Sequence, residues 1–147
     1  MFRFKLEFLK RYREQLEDTA MYELAQRIRE ANEIEADIQD LKDRRAKLAE
    51  ETSKQAGAGV SGALYVMYRN YDSHLYRRGA MMEKGLARAE KRIEDQRKKL
   101  VAASVQRKII DRFKEKQHEQ YQEKEARSER MNLDELAALV KARKQNE

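Results

Sequence analysis

The chain has 147 residues, 41% of them charged, with a net charge of +6 and a mean hydropathy of −1.04. So polar a composition leaves too little apolar surface for a compact globule. The absence of proline and the helical spacing of Leu, Ile, Ala and Met separate it from a disordered chain and point to long helices or a coiled coil. With no cysteine, disulfides and thiolate metal sites are excluded and the reducing cytoplasm is the expected compartment.

No apolar run approaches the roughly 18 residues that a bilayer span requires. The opening stretch MFRFKLEFLKRYREQ carries charge throughout and lacks the continuous apolar core of a secretory signal. The net positive charge invites a nucleic-acid reading. Yet the signs are finely interleaved, as in EKRIEDQRKK, whereas a nucleic-acid reader concentrates its cations on one face. Solvated helix faces laced with ion pairs are the expectation.

Residues 2–54 read as one helix. Leu24, Ile28 and Ala31 are spaced 4 and 3, and Ile34, Ile38, Leu41, Arg45 and Leu48 continue the alternation after a slip between Ala31 and Ile34. Acid-to-base pairs four apart support it: Glu7–Arg11, Glu23–Arg27, Asp40–Arg44, Asp43–Lys47 and Glu50–Lys54. At its start Phe2, Phe4, Leu6, Phe8, Leu9, Tyr12 and Leu16 spread over an arc of about 200°, wider than one partner helix covers. A returning carboxy-terminal segment, a second copy or the socket of another protein would each cover it. Glu7 and Glu14 count against a membrane-surface helix.

Residues 55–62 hold three of the five glycines, Gly57, Gly59 and Gly62, and are expected to form the tip of a hairpin, because glycine ends helices in the left-handed conformation. The paired part of the second helix is expected over 63–117. There Leu75, Met82, Ala89, Gln96, Ala103 and Ile110 recur every seven residues, with Leu86, Ile93 and Leu100 at the other seam position. Folding at about residue 59 brings together residues whose numbers add to about 118, on arms of about 80 Å. Residues 118–147 then have no partner in the first helix and project past it.

Within that overhang Asn132 and Glu135 have the spacing of a capping box, followed by the stripe Leu133, Leu136, Ala137 and Val140 and the basic Lys141, Arg143 and Lys144. A short amphipathic helix is expected there. Just after the tip, Tyr65, Tyr68, Tyr71 and Leu75 are spaced 3, 3 and 4 on one face, flanked by Leu64, Val66, Met67 and Tyr76. Such a ladder either plugs the end of the coiled coil or presents an exposed docking face, for which amphipathic tyrosine is well suited.

Chemistry is conspicuously missing. His74 and His118 are far apart, no two histidines have metal-ligand spacing, and no glycine loop ends in Lys-Ser/Thr. No catalytic, cofactor or metal residue is expected, and the chain reads as a binding protein rather than an enzyme.

The Phe-rich start FRFKLEFL, the long helical hairpin, the aromatic ladder after the tip and the terminal RMNLDELA resemble the flagellar export protein FliJ family over the whole length. Stalk proteins of virulence type III secretion share the architecture and are the alternative. A purely structural coiled coil and a nucleic-acid-binding coiled coil are rivals from other classes.

The resemblance implies an all-α antiparallel coiled-coil hairpin, similar to the central stalk of rotary ATPases. It implies a cytoplasmic protein that reaches the membrane export apparatus only through partners. Those partners would be the hexameric flagellar export ATPase, the cytoplasmic domain of the export gate protein FlhA, and export chaperones, with no nucleic acid. On this resemblance Tyr65, Tyr68, Tyr71, Leu75 and Met82 would face the gate. Phe4, Phe8, Tyr12, Leu133, Leu136 and Val140 would face the ATPase. Arg78 and Met82 depart from the small and histidine residues expected on the continuing gate face.

Overall fold

The computed structural model describes residues 2–145; Met1, residues 146–147 and the side chains of Ala142, Lys144 and Gln145 lie outside the described residues. Two α-helices, α1 (Glu7–Ala58) and α2 (Gly62–Gln145), form an all-α antiparallel hairpin with no strand among the described residues. The chain divides into two compact units, one of residues 18–101 and one of residues 1–17 with 102–147.

In the unit of residues 18–101 the seam is built from the heptad positions. Ala20, Ala31, Ile38, Leu41 and Leu48 of α1 and Leu75, Ala89 and Gln96 of α2 are its buried residues. Leu41, Leu48 and Leu75 form the tightest cluster, with Tyr68 and Met82 packed against it. Each such large side chain withdrawn from water stabilises the hairpin by about 1.5–3 kcal/mol.

Two polar contacts fix the register. Arg45, on a seam position of the α1 heptad, donates from Nε and Nη2 to the two Asp72 oxygens at 2.8 and 3.2 Å and lies 5.2 Å from the Tyr76 ring centroid. The buried Gln96 amide donates to the Ala20 carbonyl at 3.3 Å and to Glu23 Oε2 at 2.9 Å. A buried polar group with one good partner position favours a single pairing of the helices.

The tip is tighter than the glycine content suggests. Only residues 59–61 leave the helices, so Gln55–Ala58 and Gly62 are helical rather than part of a turn spanning 55–62. One left-handed residue reverses the chain, Gly59 at φ 86°. Ser61 starts α2, its Oγ accepting from the Leu64 amide at 3.4 Å and its carbonyl from the Tyr65 amide at 3.2 Å.

In the unit of residues 1–17 with 102–147, α1 begins at Glu7 and not at Phe2. Phe2 and Phe4 instead turn onto α2. The Phe2 ring lies 5.1 Å from His118 and 5.7 Å from Tyr121, and the Phe4 ring 6.2 Å from Phe113. Aromatic contacts of this kind outweigh five more residues of helix at a fraying end.

Glu7 pairs across to Lys114 at 2.9 Å and Glu17 to Arg107, while Lys10 bridges Glu14 at 3.3 Å and Asp111 at 3.6 Å. Of the same-helix pairs read from spacing, Asp40–Arg44 and Glu50–Lys54 form at 2.8 and 2.7 Å, whereas Glu7 and Glu23 serve partners on the other helix. Beyond Tyr121 every described side chain is exposed, and α2 passes through Asn132 unbroken. The capping-box spacing there does not start a helix, because good helix formers precede it and the backbone amides of Leu133 to Glu135 already have partners one turn back.

Candidate docking surfaces

The first surface lies in the unit of residues 18–101, beside the tip. An open groove of about 580 Å³ is lined on α1 by Arg45, Ala46, Ala49 and Ser53 and on α2 by Tyr65 and Tyr68, among others. Its form follows from size. Ala46, Ala49, Ser53 and Ala56 recur at 3, 4 and 3, so α1 presents small side chains where α2 presents tyrosines. The result is a shallow trough with a floor at Leu48 and aromatic rims. Asp72 at its edge is held in the charged form, its carboxyl lowered from the ordinary value mainly by the hydrogen bonds from Arg45.

The aromatic ladder does not act as one exposed face. Tyr65 and Tyr71 are 47% and 46% exposed and can meet a partner, and Tyr76, Val66 and Met67 are exposed beside them. Tyr68 and Met82 are half-buried against the core cluster. Leu75, at 3% exposure the most buried of the described residues, is core. The expectation that Tyr71 and Leu75 together offer an exposed face is corrected here: Leu75 is turned onto Leu41 and Leu48, one helical step away from the tyrosine edge. Both readings of the ladder thus apply, to different rungs.

The second surface lies in the unit of residues 1–17 with 102–147. Phe8 is 84% exposed, and Tyr12 is exposed one turn further on. Phe4 is half-covered by Phe113 and Lys114, so the wide apolar arc is reduced to Phe8 and Tyr12, with Leu6 and Leu16 exposed to a smaller extent. Leu133, Leu136 and Val140 are exposed further along α2, together with Met131 and Leu139. The structure does not bring these tail residues against Phe4, Phe8 or Tyr12.

Sequence reasoning missed the α2 part of this surface, where Val105, Ile109 and Phe113 are exposed at four-residue spacing. That spacing was the available signal, one face round from the heptad seam. It missed the small-residue wall of the groove for the same reason.

Among the described residues no group of three or more His, Cys, Asp or Glu side chains could hold a metal ion, and no helix is long and apolar enough to cross a membrane. What both surfaces can do is bind, by burying aromatic and aliphatic side chains already held at fixed spacing on a helix. A family model described as "Flagellar FliJ protein" matches residues 2–146. Neither a curated protein nor a solved structure matches the chain.

Proposed function

The chain belongs to the flagellar FliJ family, and on that footing we propose that it is an adaptor of flagellar type III protein export that docks on two partners and catalyses nothing itself. The observation that carries this reading is that each compact unit keeps an uncovered apolar surface of its own, on helices that run through both units. A protein that couples two others needs two such surfaces on one continuous scaffold.

The surface beside the tip, with Tyr65 and Tyr71 exposed, Tyr68 and Met82 forming its base and Leu75 supporting it from the core, is the proposed contact for the cytoplasmic domain of the export gate, FlhA. The surface of Phe8 and Tyr12 with the exposed Leu133, Leu136 and Val140 is the proposed contact for the hexameric export ATPase, with Phe4 anchoring it on α2. Tyrosine and phenylalanine give large contact areas at small side-chain entropy cost, which favours both assignments. Delivery of export chaperones or their cargo to the same apparatus belongs to this proposal. So does a cytoplasmic location with membrane association through partners.

Binding of the chain to the isolated gate domain, with and without Tyr65→Ala and Tyr71→Ala, tests the first contact. The double variant is expected to keep full helicity and lose about tenfold or more in affinity, the range of one or two interface hot spots. Unchanged affinity in the folded double variant would remove the gate from this face.

A further inference from the structure

The unit of residues 18–101 divides its charge between its two helices. Residues 77–99 of α2 carry nine Lys and Arg against four acids. Residues 20–41 of α1, packed opposite through the Gln96–Ala20 hydrogen bond and the cluster of Leu41 with Leu75, carry six acids against two Arg. The signs alternate along the sequence, but folding into a hairpin separates them.

The heptad decides where the α2 cations point. Leu75, Met82, Ala89 and Gln96 lie on the seam against α1. Arg77, Lys84, Lys91 and Lys98 each follow one of them by two residues. At about 100° per residue this turns them about 160° away from the seam, onto the back of α2. Arg88 lies about 40° from that column, and Arg78, Arg92 and Lys99 continue the same side toward the seam. Glu83, Glu90 and Glu94 lie on the other side of the column, and Asp95 is the one acid among the cations.

All eight cations of this face are exposed. Among the described residues, the one ion pair of the segment is Arg97 with Glu94 at 3.9 Å, on the other side of the column. Arg88 donates to the Lys84 carbonyl at 3.3 Å and not to an acid. The hairpin gains nothing from the arrangement, because Lys84 with Arg88 and Arg88 with Arg92 are like charges four apart, which weaken a helix.

We propose that this face binds an anionic phospholipid surface directly, with residues 77–99 of α2 lying flat along it. Residues seven apart keep their direction relative to the seam, so the back column is a straight line of about 32 Å. A plane of phosphate headgroups meets the whole line at once. Clustered Lys and Arg bind such a surface additively, and Met81, 73% exposed among them, reaches the headgroup layer. In this orientation the acids of α1 lie behind α2, away from the lipid.

Other occupants fit less well. Residues 77–99 hold no aromatic residue, so the face lacks both the anchors of a protein interface and the stacking platforms of a single-strand binder. Duplex phosphates follow helical ridges, which a straight line of cations crosses rather than tracks. The lipid contact is additional to any made through protein partners. It does not rest on the flagellar reading, since it requires neither gate nor ATPase.

Cosedimentation of the full chain with lipid vesicles tests it. Binding is expected to phosphatidylcholine vesicles containing about 40% phosphatidylglycerol at about 0.1 M salt, to be lost at about 0.5 M salt, and to be absent on phosphatidylcholine alone. Lys84→Gln, Lys91→Gln and Lys98→Gln together should weaken binding about a hundredfold, at about fivefold per cation, with helicity by circular dichroism unchanged. Lys42→Gln, Lys47→Gln and Lys54→Gln, at exposed positions of α1, remove the same net charge and should leave binding within about twofold.

A chain that does not bind the anionic vesicles overturns the proposal. Undiminished binding by the first triple variant does so too, as does an equal loss in both, which would make binding a matter of net charge alone. A chain that ignores the vesicles and binds duplex DNA would give this face to a nucleic acid and also overturn it.

Discussion

Leu75 and Tyr71 sit one helical turn apart and have opposite roles. Leu75 closes the core with Leu41 and Leu48, while Tyr71 stands nearly half in water. Leu75→Ala is expected to cost about 2–4 kcal/mol in urea unfolding, through lost burial and the cavity left behind. Tyr71→Ala is expected to stay within about 0.5 kcal/mol of the parent, the range of exposed substitutions. Equal losses at the two sites would contradict this division.

The cross-helix acids set the pH dependence. Glu7, Glu17 and Asp72 are lowered from their ordinary values, first by hydrogen bonds from Lys114, Arg107 and Arg45 respectively. A carboxyl whose folded pKa lies below its unfolded one stabilises the fold at pH above the unfolded value, about 4. That stabilisation is lost as pH falls through the folded value. The thermal midpoint is therefore expected to be flat from about pH 6 to 8 and to fall on acidification below about pH 4. A midpoint that rises on acidification would contradict these pairings.

At the scale of elements, the glycines separate by backbone conformation. Gly59 holds φ 86° at the reversal, so Gly59→Ala is expected to cost about 1 kcal/mol or more. Gly79 lies inside α2 with open space where a Cβ would go, so Gly79→Ala is expected to stabilise by about 0.5–1 kcal/mol. Thermal melts of the two variants should move in opposite directions.

The helices and their seam were legible in the sequence because the heptad spacing that buries Ile38, Leu41, Leu48, Leu75, Ala89 and Gln96 is a property of residue order alone. The ends were less legible. Phe2 and Phe4 leave the helix for rings on α2, a preference that no local pattern announces. Asn132 carries a capping signal that works only where a helix is interrupted, and nothing before it interrupts α2. In the ladder, an apolar residue serves equally as core or as docking contact, so spacing grouped Leu75 with Tyr71 and only packing separated them.

At the scale of the whole molecule, the two proposed docking surfaces, one in each compact unit, predict separable losses. Tyr65→Ala with Tyr71→Ala should impair gate binding and leave ATPase binding intact. Every described side chain among residues 131–147 is exposed, so their deletion should spare the helical hairpin, as read by circular dichroism, while impairing ATPase binding. The most direct test of the adaptor role is a pull-down of the purified export ATPase on the full chain, followed by its ATP hydrolysis rate with and without the chain. Specific binding that promotes ring assembly or turnover, and that is lost on deletion of residues 131–147, is the expected result. A folded, helical chain that neither binds the ATPase nor changes its rate would contradict it.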